Sequence, residues 1–329
     1  MDTVNVILAT PASEEAKRAI KAVSPRINLF DVSDLSRRDY QGDLQARKEL
    51  DNILAKAEVS YGMRIPTNLL ARAPKLKWIQ VTSAGVDRYL NDEFRRSPII
   101  LTNASGVHAT PIGEFVVSLM LMFAKNAVTF FEAKQKKQWA RTAGNVLNGK
   151  TVGVVGLGSI GQEVARLCKA FRMRVIATRR SPTKRTARNV DLLLPPNGLP
   201  RLLEESDFVA ICLPLTRETN KLIGASELKM MKPSAYIINI ARGPIIDEDA
   251  LIQALQAKII AGAGLDVFAT EPLPLESKLW DLPNVIISPH VSGGREDYEV
   301  GALDIFCRNL HRYVEGKRMI NVVNKEKGY

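Results

Sequence analysis

The chain has 329 residues, 46% of them hydrophobic and 25% charged, a balance typical of globular proteins and long enough for two domains with separate cores. No run approaches the ~20 apolar residues of a membrane span. The start of the chain lacks a basic segment followed by a long apolar stretch, so neither a membrane anchor nor a secretory signal is expected. Cys168, Cys212 and Cys307 lie far apart without ligand spacing, which points to a reducing cytoplasm and away from a disulfide framework or a metal site. A net charge of +11 suits nucleic acid or a small anion. Its basic residues are dispersed, however, and clusters such as Lys134 to Lys137 lack interleaved aromatics. A surface field attracting anionic substrates is expected, and no nucleic-acid partner.

In chain order, short apolar runs at 4–9, 27–30, 58–61, 78–82 and 99–102 alternate with polar helical stretches, the pattern of a parallel α/β sheet. A polar, small-residue connection follows at 103–108, then a long apolar helix from about Pro111 to Ala127, with proline at its start. A second α/β unit places strands at 151–155, 175–178, 208–212, 235–239, 262–267 and 285–288, with a helix over 247–257. A last amphipathic segment, about 296–314, has no place in a completed second domain and is expected to return to the first. The fold expected is α/β with two doubly wound parallel-sheet domains: one of 103–293 inserted into a flavodoxin-like domain of 1–102 plus 294–329. The crossings near 103 and 294 are read as a hinge, with a ligand expected in the cleft.

The strand at 151–155 breaks into Gly156-Leu157-Gly158-Ser159-Ile160-Gly161, and an apolar-periodic helix begins at once. Strand before and helix after are the context that turns this weak motif into a dinucleotide cradle. The first glycine allows the tight turn and the second a close approach to a pyrophosphate. The third allows helix-on-strand packing, and the helix N-terminus offers N–H donors. The inserted domain is therefore expected to be a Rossmann NAD(P)-binding domain.

Three further polar residues stand just beyond strand ends: Arg242, Glu271 and His290. Singly, each has a plain alternative, as a surface ion-pair partner, a turn residue before Pro272 and a structural histidine. Together they match the needs of 2-keto acid reduction, which takes a hydride from nicotinamide, a proton for the developing alkoxide and a cation for the carboxylate. Imidazolium is a suitable proton donor near neutral pH, and a carboxylate beside it fixes the ring. Arginine binds a carboxylate through two parallel hydrogen bonds and keeps its charge.

The segments Gly156 to Gly161, Asn239-Ile240-Ala241-Arg242-Gly243, Gly264 to Phe268 with Glu271-Pro272, and Ser288-Pro289-His290 resemble the D-isomer-specific 2-hydroxyacid dehydrogenase family in order and spacing. The resemblance runs from about Ile79 to the C-terminus. It implies Arg242 as substrate clamp, Glu271 as orienter of His290, and His290 as proton donor. It also implies that Asp266 holds the nicotinamide carboxamide and that Leu213, Pro214, Thr219, Ile240, Ala241 and Gly293 line the cofactor. Ser83-Ala84-Gly85 maps onto the loop whose amides take the substrate carboxylate, a role that an anion nest of small residues fits independently. A homodimer built on the helix from Pro111 is the family expectation.

Eighteen residues past Gly161, where NAD-using relatives place an aspartate for the ribose hydroxyls, stands Arg179. Arginine cannot accept those hydrogen bonds, but it pairs with a 2′-phosphate. Arg180 follows, Ser181 adds a hydroxyl, and Lys184, Arg185 and Arg188 keep the field positive; a solvated basic loop is the plainer alternative. NADP(H) is therefore expected in preference to NAD(H), with a glyoxylate- or hydroxypyruvate-type 2-keto acid as substrate. Glutamate at 271 argues against a formate dehydrogenase, which carries glutamine there. A corepressor-like interaction protein on the same fold, or an NAD-dependent dehydrogenase, are the alternatives.

Overall fold

The computed structural model describes residues 3–180 and 186–329. The chain divides into two compact units, one of Met1–Val107 with Glu296–Tyr329 and one of His108–Arg295.

The first unit is a five-stranded parallel sheet of β1 (Val4–Leu8), β2 (Ile27–Asp31), β3 (Val59–Tyr61), β4 (Trp78–Gln80) and β5 (Ile100–Thr102), in the order β2-β1-β3-β4-β5 of flavodoxin-like folds. Alternation along β1 explains its two faces. Ile7 joins Leu50, Leu54 and Leu101 on one side, while Val6 and Leu8 join Ile20, Trp78 and Phe306 on the other. Phe306 belongs to the C-terminal helix Tyr298–Val314, which returns to this unit with Ala302, Ile305, Phe306 and Leu310 buried. Its ring stacks on Tyr61 at 4.2 Å. A buried polar chain also pins the return: Trp78 Nε1 donates to Thr102 Oγ1 at 2.7 Å, Thr102 donates to Gln80 Oε1 at 2.7 Å, and Asn309 Nδ2 donates to the same oxygen at 3.0 Å.

The second unit is a seven-stranded parallel sheet of β6 (Thr151–Val155), β7 (Arg174–Thr178), β8 (Leu192–Leu194), β9 (Phe208–Ile211), β10 (Tyr236–Asn239), β11 (Gly262–Leu265) and β12 (Val285–Ile287). The order is β12-β11-β10-β9-β6-β7-β8, all neighbours parallel. The chain reverses its direction of travel across the sheet between β6 and β9, which makes that edge the topological switch point where such sheets bind ligands. β8, three leucines long, has no counterpart in the strands expected from sequence.

The apolar helix expected from Pro111 to Ala127 begins earlier and ends earlier, as Ala109–Ala124, and a second helix, Ala127–Gln135, follows at a bend of 65°. Asn126, with φ +55°, makes the break in the left-handed conformation that asparagine tolerates. Pro111 thus lies in the first turn, where a missing N–H costs no helical bond. The first helix is buried along Ile112, Val116, Val117, Leu119, Met120 and Phe123 against the β6 face of the sheet. Among the described residues no single helix is long and apolar enough to cross a membrane; the two helices of that bent pair reach such a length only taken together.

Candidate active site

Parallel strands all point their C-terminal ends the same way, so the loops that follow them gather at one edge of the sheet. That edge carries the glycine turn after β6, Arg179 and Arg180 after β7, Leu213 and Pro214 after β9, Arg242 after β10, Asp266 after β11 and His290 after β12.

The glycine turn fits a dinucleotide on its own geometry. Gly156 has φ +103°, and a Cβ there would meet Leu213 Cδ2 at 2.7 Å and the Cys212 carbonyl oxygen at 2.8 Å. A Cβ on Gly161 would lie 2.1 Å from the Gly156 oxygen, whereas one on Gly158 meets nothing within 4 Å. The first and third glycines are therefore required by the protein's own packing, and the second opens onto space. Thr178, unremarked in the sequence, ties the turn to β7: its hydroxyl accepts from the Gly156 N–H at 3.2 Å and its carbonyl from Leu157 at 3.0 Å. The amides of Ser159, Ile160 and Gly161, at the start of the helix Ser159–Ala170, have no acceptor among the described residues. They leave a helix terminus with the unsatisfied N–H donors that suit a phosphate.

Arg179 and Arg180 are both exposed, and Arg180 pairs with Glu218 at 3.4 Å. Ser181, Lys184 and Arg185, expected to add to this basic loop, lie outside the described residues. Thr219 spends its hydroxyl on its own loop, donating to Pro214 O at 2.7 Å and accepting from Thr216 N–H at 2.7 Å.

His290 Nδ1 lies 2.8 Å from Glu271 Oε2, with about half the His290 side chain and a third of that of Glu271 exposed. Glu271 is held in turn, because its Oε1 accepts from Phe268 N–H at 3.1 Å. Glu248 Oε2 accepts from the next amide, Ala269, at 2.9 Å. The β10 loop carrying Arg242 packs directly on this segment: a Cβ on Gly243 would fall 1.9 Å from the Phe268 carbonyl carbon. Asn239 shapes that loop by accepting from Ala241 N–H at 3.1 Å and donating to Arg242 O at 3.0 Å.

Asp266 does something the resemblance does not imply. Its carboxylate is fully buried. Oδ1 accepts from Ser288 Oγ at 2.6 Å and Val291 N–H at 2.9 Å, and Oδ2 from Ser292 N–H at 2.9 Å. The backbone oxygen of Asp266 also takes the His290 N–H at 2.8 Å. His290 itself sits at φ +55°. One side chain thus clamps both ends of the turn that presents the imidazole, and the carboxamide role assigned to Asp266 would fall to a group already bearing three hydrogen bonds.

His108, unassigned by sequence, also reaches this end of the unit, with Nδ1 3.0 Å from Gly293 O. Burial pushes its pKa below the ordinary histidine value, and the charges of Arg242 and Arg295 with the neighbouring His290 imidazole push the same way, against the opposing effect of the Gly293 bond. Among the described residues no group of three potential metal ligands occurs.

In the first unit, all three carbonyls of Ser83-Ala84-Gly85 are engaged, by Ala104 N–H at 3.0 Å, Asn103 Nδ2 at 2.7 Å and Ser83 Oγ at 2.8 Å. Their three amides have no acceptor among the described residues, which is the polarity an anion nest requires.

The family model for the NAD binding domain of D-isomer specific 2-hydroxyacid dehydrogenases matches residues 117–292. A glyoxylate reductase of Thermococcus gammatolerans is 37% identical over 272 residues, covering 80% of each chain. A glyoxylate/hydroxypyruvate reductase B of Pectobacterium carotovorum is 36% identical over 298 residues, covering 86% of this chain and 91% of its own. A D-isomer specific 2-hydroxyacid dehydrogenase of Xanthobacter autotrophicus, solved with NADPH and MES, superposes with a TM-score of 0.84 at 28% identity over the whole of both chains. The NADPH-dependent glyoxylate/hydroxypyruvate reductase of Sinorhizobium meliloti, solved with NADP and sulfate, gives 0.84 at 27% identity, covering 99% of this chain and all of its own. The chain belongs to the D-isomer-specific 2-hydroxyacid dehydrogenase family of oxidoreductases.

Asp266→Asn keeps one acceptor oxygen but sets an amide donor against at least one of the two N–H groups, those of Val291 and Ser292, that the carboxylate serves, and it removes the charge. Chemical denaturation is expected to show a loss of about 2–3 kcal/mol, the scale of hydrogen bonds to a buried charge. A variant within about 0.5 kcal/mol of the parent, the scatter of neutral surface changes, would mean the turn does not depend on the clamp.

Proposed function

We propose that the protein reduces a small 2-keto acid, of the glyoxylate or hydroxypyruvate type, to the D-2-hydroxy acid with NADPH. The observation that carries this is the His290–Glu271 hydrogen bond at 2.8 Å, at the sheet edge that also bears Arg242 and the glycine turn. The relatives named as glyoxylate and hydroxypyruvate reductases support the substrate class, and those solved with NADPH or NADP support the cofactor.

When bound, reduced nicotinamide supplies the hydride. The residues assigned to hold the dinucleotide are Gly156 to Gly161 for the pyrophosphate and Arg179 and Arg180 for the 2′-phosphate. Leu213, Pro214, Thr219, Ile240, Ala241 and Gly293 are assigned to line its length. Arg242 binds the keto acid's carboxylate, and the amides of Ser83, Ala84 and Gly85 are assigned to the same group by resemblance. His290, oriented through Nδ1 by Glu271, delivers the proton from Nε2 to the carbonyl oxygen as it becomes the hydroxyl. Glu271 and Asp266 are positioning residues, the first fixing the ring and the second the backbone that carries it. The complete set of Arg242, Glu271 and His290 favours this enzyme over a corepressor-like interaction protein. Arg179 favours NADPH over an NAD-dependent dehydrogenase.

We further assign a homodimer. Phe130 and Phe131 on the Ala127–Gln135 helix, with Trp139 and Val146 beyond it, are exposed apolar side chains, Trp139 to 87%. Such a concentration supports a protein partner surface. The three cysteines, all unpaired, support a reducing compartment such as the cytoplasm.

The direct test is a panel of 2-keto acids assayed with NADPH and with NADH, on the parent and on His290→Ala. Turnover of glyoxylate or hydroxypyruvate with NADPH preferred is expected, with a loss of about 100-fold or more in kcat for His290→Ala. Equal or better rates with NADH would remove the Arg179 assignment, and near-normal turnover of His290→Ala the proton-donor role. Sedimentation should give twice the 36.4 kDa chain mass, and a monomer at micromolar concentration would contradict the dimer.

A further inference from the structure

β6 lies between β7 and β9 in the sheet. Arg180 stands in the loop after β7 and Glu218 in the loop after β9, so the 3.4 Å ion pair between them runs across the C-terminal end of β6, where the glycine turn sits. The pair links the two loops that flank the dinucleotide cradle.

Glu218 is not a loosely placed surface acid. Its Oε2 accepts from Thr216 Oγ1 at 2.8 Å. The turn bearing it is closed by Thr219, whose hydroxyl bonds both the Thr216 N–H and the Pro214 carbonyl at 2.7 Å. The carboxylate is held below its ordinary pKa first by the Thr216 hydroxyl and then, among other causes, by the charges of Arg180 and Arg217, so it is an anion at neutral pH. An exposed guanidinium thus already has an oxyanion partner, presented by a formed loop from the far side of the cradle.

We propose that Glu218 is a specificity-determining residue for the cofactor: a carboxylate of the chain itself that occupies Arg180 across the glycine turn until a 2′-phosphate displaces it. This rests on the assignment of Arg179 and Arg180 to that phosphate. A phosphate brings more charge and three acceptor oxygens, so it wins the guanidinium, but it must displace Glu218 and then bind beside its negative charge. A cofactor with a ribose 2′-hydroxyl has no anion to exchange and leaves the pair in place. Glu218 therefore lowers affinity for the phosphorylated cofactor selectively and narrows the preference that the arginines create.

The test is equilibrium binding without keto acid, by titrating NADPH and NADH fluorescence against the parent, Glu218→Gln, Arg180→Ala and the double variant. Glu218→Gln is expected to bind NADPH about two- to fivefold more tightly, the range open to an exposed ion pair, with NADH affinity unchanged. In the Arg180→Ala background the same substitution is expected to give no gain. The proposal is overturned if Glu218→Gln leaves NADPH affinity unchanged or weaker, if both cofactors gain equally, or if the gain survives without Arg180. A parent that binds NADH as tightly as NADPH would overturn the cofactor assignment and this inference with it, whereas a parent that prefers NADPH, with no response to Glu218→Gln, overturns this inference alone.

Discussion

The buried carboxylate of Asp266 is the constraint on which the site depends. It bonds the Ser288 hydroxyl and the amides of Val291 and Ser292, and its backbone oxygen takes the His290 amide. An unpaired charge in that position would be costly, so the turn and the carboxylate specify each other. His290 at φ +55° is a conformation a histidine seldom adopts unaided, and the clamp supplies what holds it there. The imidazole then meets Glu271, whose own position is set by the Phe268 amide. Pre-organisation of this kind is what the proton-donor role proposed for His290 requires, because the group then need not reorganise at the moment of reaction.

The sheet does the rest by polarity. Seven parallel strands deliver the glycine turn, the basic pair, Arg242, Asp266 and His290 to one edge, although more than 130 residues of chain separate the first from the last. Glycines set the tolerances between those loops. Gly243 permits the Arg242 loop to lie on the Glu271 segment, and Gly161 permits the helix to start against Gly156. No side chain at either position fits without moving backbone.

Local chemistry made much of this visible in the sequence. A glycine pattern between a strand and a helix, and an arginine, a glutamate and a histidine just past strand ends, are short-range signals that survive without coordinates. Other features depend on neighbours distant in the chain. β8 is three leucines long and becomes a strand only by pairing with β7. The helix break at Asn126 rests on a left-handed residue inside an apolar run that by periodicity alone continues. The clamp by Asp266 required knowing that its side chain is buried, and the partners of Thr178, His108 and Glu218 lie 22, 185 and 38 residues away. Asp266 lies inside the strand expected at 262–267, which in the structure ends at Leu265, so only the resemblance pointed to it; nothing comparable marked His108.

In the proposed mechanism Glu271 works only through His290, to which it is hydrogen-bonded at 2.8 Å. A double-variant cycle on kcat/KM for the keto acid, using Glu271→Gln, His290→Ala and both together, tests it most directly. The account predicts that the double variant loses no more than His290→Ala alone, within about twofold, because residues acting as one unit are not additive. Losses that multiply would contradict it, since Glu271 would then contribute to the reaction by a route that does not pass through the imidazole.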